Sequence, residues 1–262
     1  MANHIFEGLN GNDRSEKPRT TGQTMVVDWG IGPHTQLDLL VTGAEYVDFA
    51  KVAVGISRLL KNDVLVDKIR TYQNYAVEPF PGGQYFEYAE VKGKADLYIP
   101  SVIDAGYRWI EVSDNLGAVS LDWKVKMIRE ATVNNLQVFG EVGKKEGLDS
   151  SVTMADDATA CLEAGSDIIL LEAAELINED ADTARAVEEV VEKVGLDRIM
   201  FELPGPWIEG VSAALIHRMR RRLVDRYGHE VNVGNVDPID LISFEAYRQE
   251  LGVNAGKSND EG

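Results

Sequence analysis

A chain of 262 residues, 44% of them hydrophobic, is long for one β-sandwich, suits one α/β barrel, and can bury a large core. Its net charge of −18 excludes binding nucleic acid or an anionic membrane through a general positive field. No run approaches the roughly 18 apolar residues of a membrane helix.

In chain order, residues 1–20 read as a flexible or loosely docked polar lead. Strands are expected over 24–28, 46–51, 76–80, 109–113, 137–142, 168–172, 199–203 and 231–236, each a short apolar run with little alternation, as in strands buried on both faces. Between them, helical spacing predicts helices over 34–43, 59–74, 86–105 with a break near Gly93, 120–134, 151–164, 179–194, 208–227 and 238–251. Ser120 is placed as an N-cap, and Asp237-Pro238 as a capped helix start. Residues 254–262 read as a disordered tail, leaving a single domain over 21–253. Strict alternation of eight strands with eight helices predicts a closed (β/α)₈ TIM barrel, and no Gly-rich dinucleotide fingerprint supports an open sheet.

One cysteine, Cys161, excludes an intrachain disulfide and lies in a helical pattern, so it reads as a buried small hydrophobe. With an N-terminus lacking a signal-like apolar core, it points to a cytoplasmic protein. The basic run Arg218–Arg222 reads either as a solvated helix face or as a contact between subunits.

Barrel enzymes place their chemistry where strands end. The predicted ends are acidic or polar: Asp28, Lys51, the Pro81-Gly82-Gly83 bend, Glu111 with Ser113 and Asp114, Glu141, Glu172 with Glu175, Glu202, and Asn232 with Asn235. Carboxylates converging on one mouth repel one another unless a cation intervenes. Oxygen ligands without a His or Cys cluster point to Mg²⁺ rather than Zn²⁺. Within LQVFGEVGKKEG, Glu141 ends a strand, and a Gly-hinged turn presents Lys144 and Lys145. These are either solvated turn lysines or a proton donor and anion clamp beside a carboxylate. The Gly82-Gly83 bend before a helix is either a plain turn or a cradle whose free N–H groups hold a carboxylate or phosphate.

From 17 to 251 the segments KPRTTGQTMVVDWG, YVDFAKVAVGIS, PGGQYFEYA, IEVSDNLGAVSL, EVGKK, IILLEA, IMFELP and VNVGNV occur in order. In these the chain resembles the phosphosulfolactate synthase family of the coenzyme M pathway. The resemblance implies a Mg²⁺-dependent lyase that joins sulfite to phosphoenolpyruvate, and a homo-oligomer. It implies Lys145 as the acid, with Lys144 as its competitor. Glu111, Asp114, Glu141 and Glu172 become candidate metal or neighbouring ligands. Lys51, Ser57, Gly82 and Gly83 become candidate anion-binding residues, and Ser113 and Asn235 candidate substrate contacts.

The chain departs from the family pattern at the expected mouth. Trp29 stands where the family's first strand runs into lysine, and Ala174 where the family has arginine. A desolvated anion left without its charged partner costs on the order of 3–5 kcal/mol. Either other cations compensate, for which Arg19 and Arg58 are candidates, or the ligand carries less charge.

Overall fold

The computed structural model describes residues 5, 6, 9, 11, 13–143, 152–172 and 181–252. Its eight strands are β1 (Thr24–Asp28), β2 (Phe49–Val52), β3 (Glu78–Pro81), β4 (Trp109–Val112), β5 (Gln137–Val142), β6 (Ile168–Glu172), β7 (Ile199–Glu202) and β8 (Val233–Val236). Parallel ladders connect them in the order β3-β2-β1-β8-β7-β6-β5-β4, and β3 and β4 lie beside each other to complete the ring. This is the expected (β/α)₈ barrel.

Ten α-helices are described: α1 (Pro33–Gly43), α2 (Ile56–Leu59), α3 (Asn62–Asn74), α4 (Gln84–Val91), α5 (Tyr98–Ala105), α6 (Leu121–Val133), α7 (Met154–Ala164), α8 (Ala181–Val194), α9 (Ala213–Tyr227) and α10 (Leu241–Arg248). The stretch expected as one interrupted helix over 86–105 forms two, α4 and α5, with Gly93 between them at φ +65°. The second strand starts later than expected because 44–46 make a 3-10 turn. Ser120 caps α6 by accepting from the Trp123 N–H, and Asp237 accepts from the Ile239 N–H.

Period-2 geometry assigns each strand residue a side. Met25, Phe49, Phe80, Trp109, Phe139, Ile168, Leu170 and Met200 fill the barrel interior, with Phe49 edge-on to Trp109 and Phe139 at 4.9 and 5.0 Å. Each such aromatic contributes about 1.5–3 kcal/mol by leaving water. Neighbours one residue on, including Ile110, Val112, Val142, Ile169, Leu171 and Phe201, face the helices with buried Cys161. Two residues on from the inner core, the chain has Val27, Lys51, Gly82, Glu111, Glu141, Glu172 and Glu202. The inward face turns from aromatic to charged within one pleat.

At the opposite end, the lead contacts the barrel base from Arg14 onward. Arg14 pairs with Glu230 at 2.6 Å and Glu245 at 2.7 Å, Arg19 with Asp48 at 3.2 Å, and Lys17 donates to the Ala44 carbonyl at 3.0 Å. Fully buried Arg248 donates to the His229 and Val231 carbonyls at 2.5 and 2.7 Å, and burial lowers its pKa to about 9. The basic run is not a uniformly solvated face either. Arg220 is buried, pairs with Asp240 at 3.2 Å and stacks on Phe244. Residues 254–262 lie outside the described residues. Among the described residues, no helix is long and apolar enough to cross a membrane.

Candidate active site

The charged layer surrounds a cavity of about 150 Å³ at the C-terminal end of the barrel. Lys51 Nζ lies 2.8 Å from Glu111 Oε2 and 3.0 Å from Glu202 Oε1. Glu141 interacts with both carboxylates, and Asn115 Nδ2 donates to Glu141 Oε1 at 2.5 Å. Glu172 lines the same cavity.

Burial is the largest influence on the acids and raises both titrating glutamates. The Lys51 ammonium opposes that rise, while Glu141 adds to it. The result holds Glu111 well above its usual range and lifts Glu202 to about 7. Burial acts to lower Lys51, but Glu111, Glu202 and Glu141 more than reverse this, and its pKa rises. Among the described lining residues, Lys51 is the one cation set against four carboxylates. Such a site is short of positive charge.

Of the residues singled out from sequence, Lys51, Gly82, Gly83, Glu111, Glu141, Glu172 and Asn235 are brought together at this cavity. Asn235 sits at a bulge where the β1–β8 register shifts, at φ +56°, and its Oδ1 is buried without a hydrogen-bond partner. Lys144, Lys145 and Ala174 lie outside the described residues. Lys144 follows directly on Gly143, where a Cβ would come 3.0 Å from Glu172 Oε2.

Other expectations resolve differently. Asp114 sits behind β4 and β5, where Lys124 Nζ lies 3.1 Å from it and 2.7 Å from Asp157, while also donating to the Glu141 carbonyl at 2.9 Å. Asp28 is likewise off the inward parity and accepts from Lys68 Nζ at 2.5 Å and the Tyr72 hydroxyl at 2.9 Å. Ser113 donates to Glu87, whose carboxylate also receives the Asn115 and Leu116 N–H groups and so holds the loop that carries Asn115. Ser57 bonds the Tyr107 hydroxyl at 2.9 Å in a separate outer cleft.

The Gly82-Gly83 N–H groups are not free. Gly82 donates to the Val52 carbonyl at 2.9 Å, and Gly83 to Glu111 Oε1 at 2.8 Å, so the protein's own carboxylate fills the expected anion cradle. Both glycines are required by close approach, since a Cβ would lie 2.8 Å from the Val54 nitrogen and 2.6 Å from Ser113 Oγ. Neither proposed compensating cation reaches the mouth: Arg19 is at the barrel base, and Arg58 lines the outer cleft.

Sequence reading placed Glu202 among the strand ends without giving it a role, and left Asn115 and Trp207 out of the site. Glu202 was visible as a strand end, and parity with Met200 assigns it inward once the barrel is formed. Nothing local marked Trp207, which reaches Trp29 across the mouth with ring centroids 5.0 Å apart.

The donor set at the mouth is all oxygen. Among the described residues, no three acidic, His or Cys side chains form a ready metal cage, and Lys51 fills the gap between Glu111 and Glu202. Mg²⁺ ordinarily uses one or two protein carboxylates and completes its shell with water and substrate oxygens. Glu141 and Glu172 fit that mode, and the excess negative charge, which adds to burial in raising Glu111 and Glu202, favours a cation there.

Residues 12–253 match the model of the (2R)-phospho-3-sulfolactate synthase (ComA) family. The chain is 31% identical over 258 residues to the phosphosulfolactate synthase of Methanothermobacter thermautotrophicus, covering 94% of this chain and 96% of that one. It is 30% identical to the Methanocaldococcus jannaschii phosphosulfolactate synthase (88% and 92% covered) and 25% identical to that of Bacillus subtilis (91% and 93%). In fold it is similar to a 3-hexulose-6-phosphate synthase, with a TM-score of 0.51 at 15% identity over 86% of this chain and 98% of that one.

Proposed function

This chain belongs to the (2R)-phospho-3-sulfolactate synthase family, and from that premise we propose that its barrel mouth adds sulfite to phosphoenolpyruvate in a Mg²⁺-dependent lyase reaction. The observation that carries the reading is the inward layer of Glu111, Glu141, Glu172 and Glu202 around Lys51, which occupies the catalytic end of the barrel.

In this reaction sulfite sulfur forms a bond to the methylene carbon of the enol phosphate. The π pair moves toward the adjacent carbon and its carboxylate, and that carbon then takes a proton while the phosphate ester stays intact. Bound Mg²⁺ supplies a Lewis acid for the substrate carboxylate. Glu111 and Glu202 hold Lys51 so that its ammonium faces the anionic substrate. Asn115 fixes Glu141, and Glu87 fixes Asn115 through the loop N–H groups. Asn235 Oδ1, buried without a partner, is available to a substrate or water proton. Lys145 delivers the proton to the carbon, with Lys144 as its competitor.

Purified protein given Mg²⁺, sulfite and phosphoenolpyruvate is expected to yield one phosphosulfolactate per phosphoenolpyruvate consumed, read by mass spectrometry and phosphorus NMR. Consumption of neither substrate would overturn the assignment.

A second reading, the same chemistry on a less anionic acceptor, is favoured by the Trp29–Trp207 pair standing where the family pattern carries lysine. Under the first reading Trp29→Lys tightens phosphoenolpyruvate about tenfold, near 1.4 kcal/mol. Unchanged or weaker phosphoenolpyruvate binding by the folded variant would favour the second.

A further inference from the structure

Outside the barrel wall, between α3 and the α4–α5 pair, lies a cleft of about 860 Å³, far larger than the mouth cavity. The two are back to back across one turn. Pro81 faces the cleft and Gly82 and Gly83 face the mouth, with the Tyr98 hydroxyl 3.5 Å from the Gly82 carbonyl. Nothing in the proposed lyase reaction uses the cleft.

Its lining combines two features. One is aromatic: Tyr85 and Tyr88, three residues apart on α4, present near-parallel rings (15°, centroids 6.1 Å), and Tyr98 meets Tyr85 edge-on at 5.7 Å. The other is positive charge. Arg58, Lys92 and Lys94 line the cleft of a protein whose net charge is −18, with Asp104 the one acidic side chain among the lining residues. Among the described residues, none of the three cations is ion-paired, and Lys92 Nζ instead sits 5.2 Å from the Tyr88 ring centroid.

We propose that this cleft binds a small aromatic phosphate, its ring on the Tyr85–Tyr88 ledge and its anion among Lys92, Lys94 and Arg58. The volume decides against a bare inorganic anion, because the cleft falls within the roughly 300–1,000 Å³ that small organic ligands occupy. The charge decides against an organic cation. Aromatic area lined by ammonium and guanidinium groups in one cleft is complementary to one molecule carrying both a π face and a phosphate.

The probes are AMP, UMP and 4-nitrophenyl phosphate, with adenosine and inorganic phosphate as partners lacking the anion or the ring, measured by titration calorimetry on the intact protein. At least one aromatic phosphate is expected to bind tenfold or more tightly than both controls. Lys92→Glu/Lys94→Glu, two exposed changes, is expected to weaken it at least tenfold while leaving sulfite and phosphoenolpyruvate turnover unchanged. Glu111→Gln at the mouth is expected to leave this binding unchanged. Failure of all three probes to bind above the controls would overturn the proposal. So would binding lost in Glu111→Gln but kept in the double variant, which would place the ligand in the mouth. A change in oligomeric mass caused by the double variant would mean that the cleft holds a second copy of the chain, and would also overturn it.

Discussion

The two ends of the barrel treat charge in opposite ways. At the base, Arg14 and Arg19 pair with carboxylates and Arg248 donates to backbone carbonyls, so each cation has partners and the N-terminal segment is held down. At the mouth, Glu111, Glu141 and Glu202 crowd one lysine, and two of the acids are pushed up toward protonation. A fold selected for stability alone would not keep that arrangement, because each unneutralised carboxylate disfavours the folded state. The difference teaches that the base spends its ion pairs on holding the chain, while the mouth keeps a deficit that a cation and a reacting substrate can fill.

The comparison breaks first at the proposed acid. Lys145→Ala is expected to lower kcat by about 10²–10⁴-fold, the range for a general acid, with the melting temperature nearly unchanged. Equal loss of rate and stability would mean that the residue holds structure instead. At the base the reverse is expected. Arg14→Ala leaves Glu230 and buried Glu245 without their guanidinium, at a cost on the order of 3 kcal/mol, or about 6–12 °C in melting temperature. Turnover per folded molecule should persist, and its loss would link the base to the chemistry.

A smaller effect sharpens the contrast through pH. Glu202 has a folded-state pKa of about 7 against an ordinary 4.5, so the native state holds this proton more tightly than the unfolded chain. The stability that protonation contributes is complete below the ordinary value and is lost as pH rises through 7. In chelator, Glu202→Gln is therefore expected to raise the melting temperature at pH 8 by about 2–4 °C per kcal/mol recovered, and to change it little at pH 4. Equal effects at both pH values would remove the account of Glu202 as a buried, crowded acid.

The fold was legible because apolar runs and helical spacing alternate cleanly, and three strands, β1, β5 and β6, have the expected bounds. The site was legible only in part. Because these strands are buried on both faces, alternation could not tell Glu111 from Asp114 or Val27 from Asp28. Closing the barrel supplies that parity, putting Glu202 inward beside Lys51 and turning Asp28 and Asp114 to Lys68 and Lys124. The Gly82-Gly83 bend misled for a related reason. Its composition suits an anion, and the anion it meets is the side chain of Glu111, two strand residues past Trp109. Trp207 reaches the mouth from the segment between β7 and α9, where no periodicity marks it.

The most direct measurement compares Glu141→Gln with Asp114→Asn, two one-atom changes on opposite sides of the same wall, in kcat/KM and melting temperature. Glu141→Gln is predicted to lose about 10²–10³ in kcat/KM at an equal or higher melting temperature, in the range of losing a preorganised electrostatic group. Asp114→Asn is predicted to melt several degrees lower, with kcat/KM within about threefold of the parent. Full activity in Glu141→Gln, or collapse of activity in a stably folded Asp114→Asn, would contradict the assignment of chemistry to the inward layer.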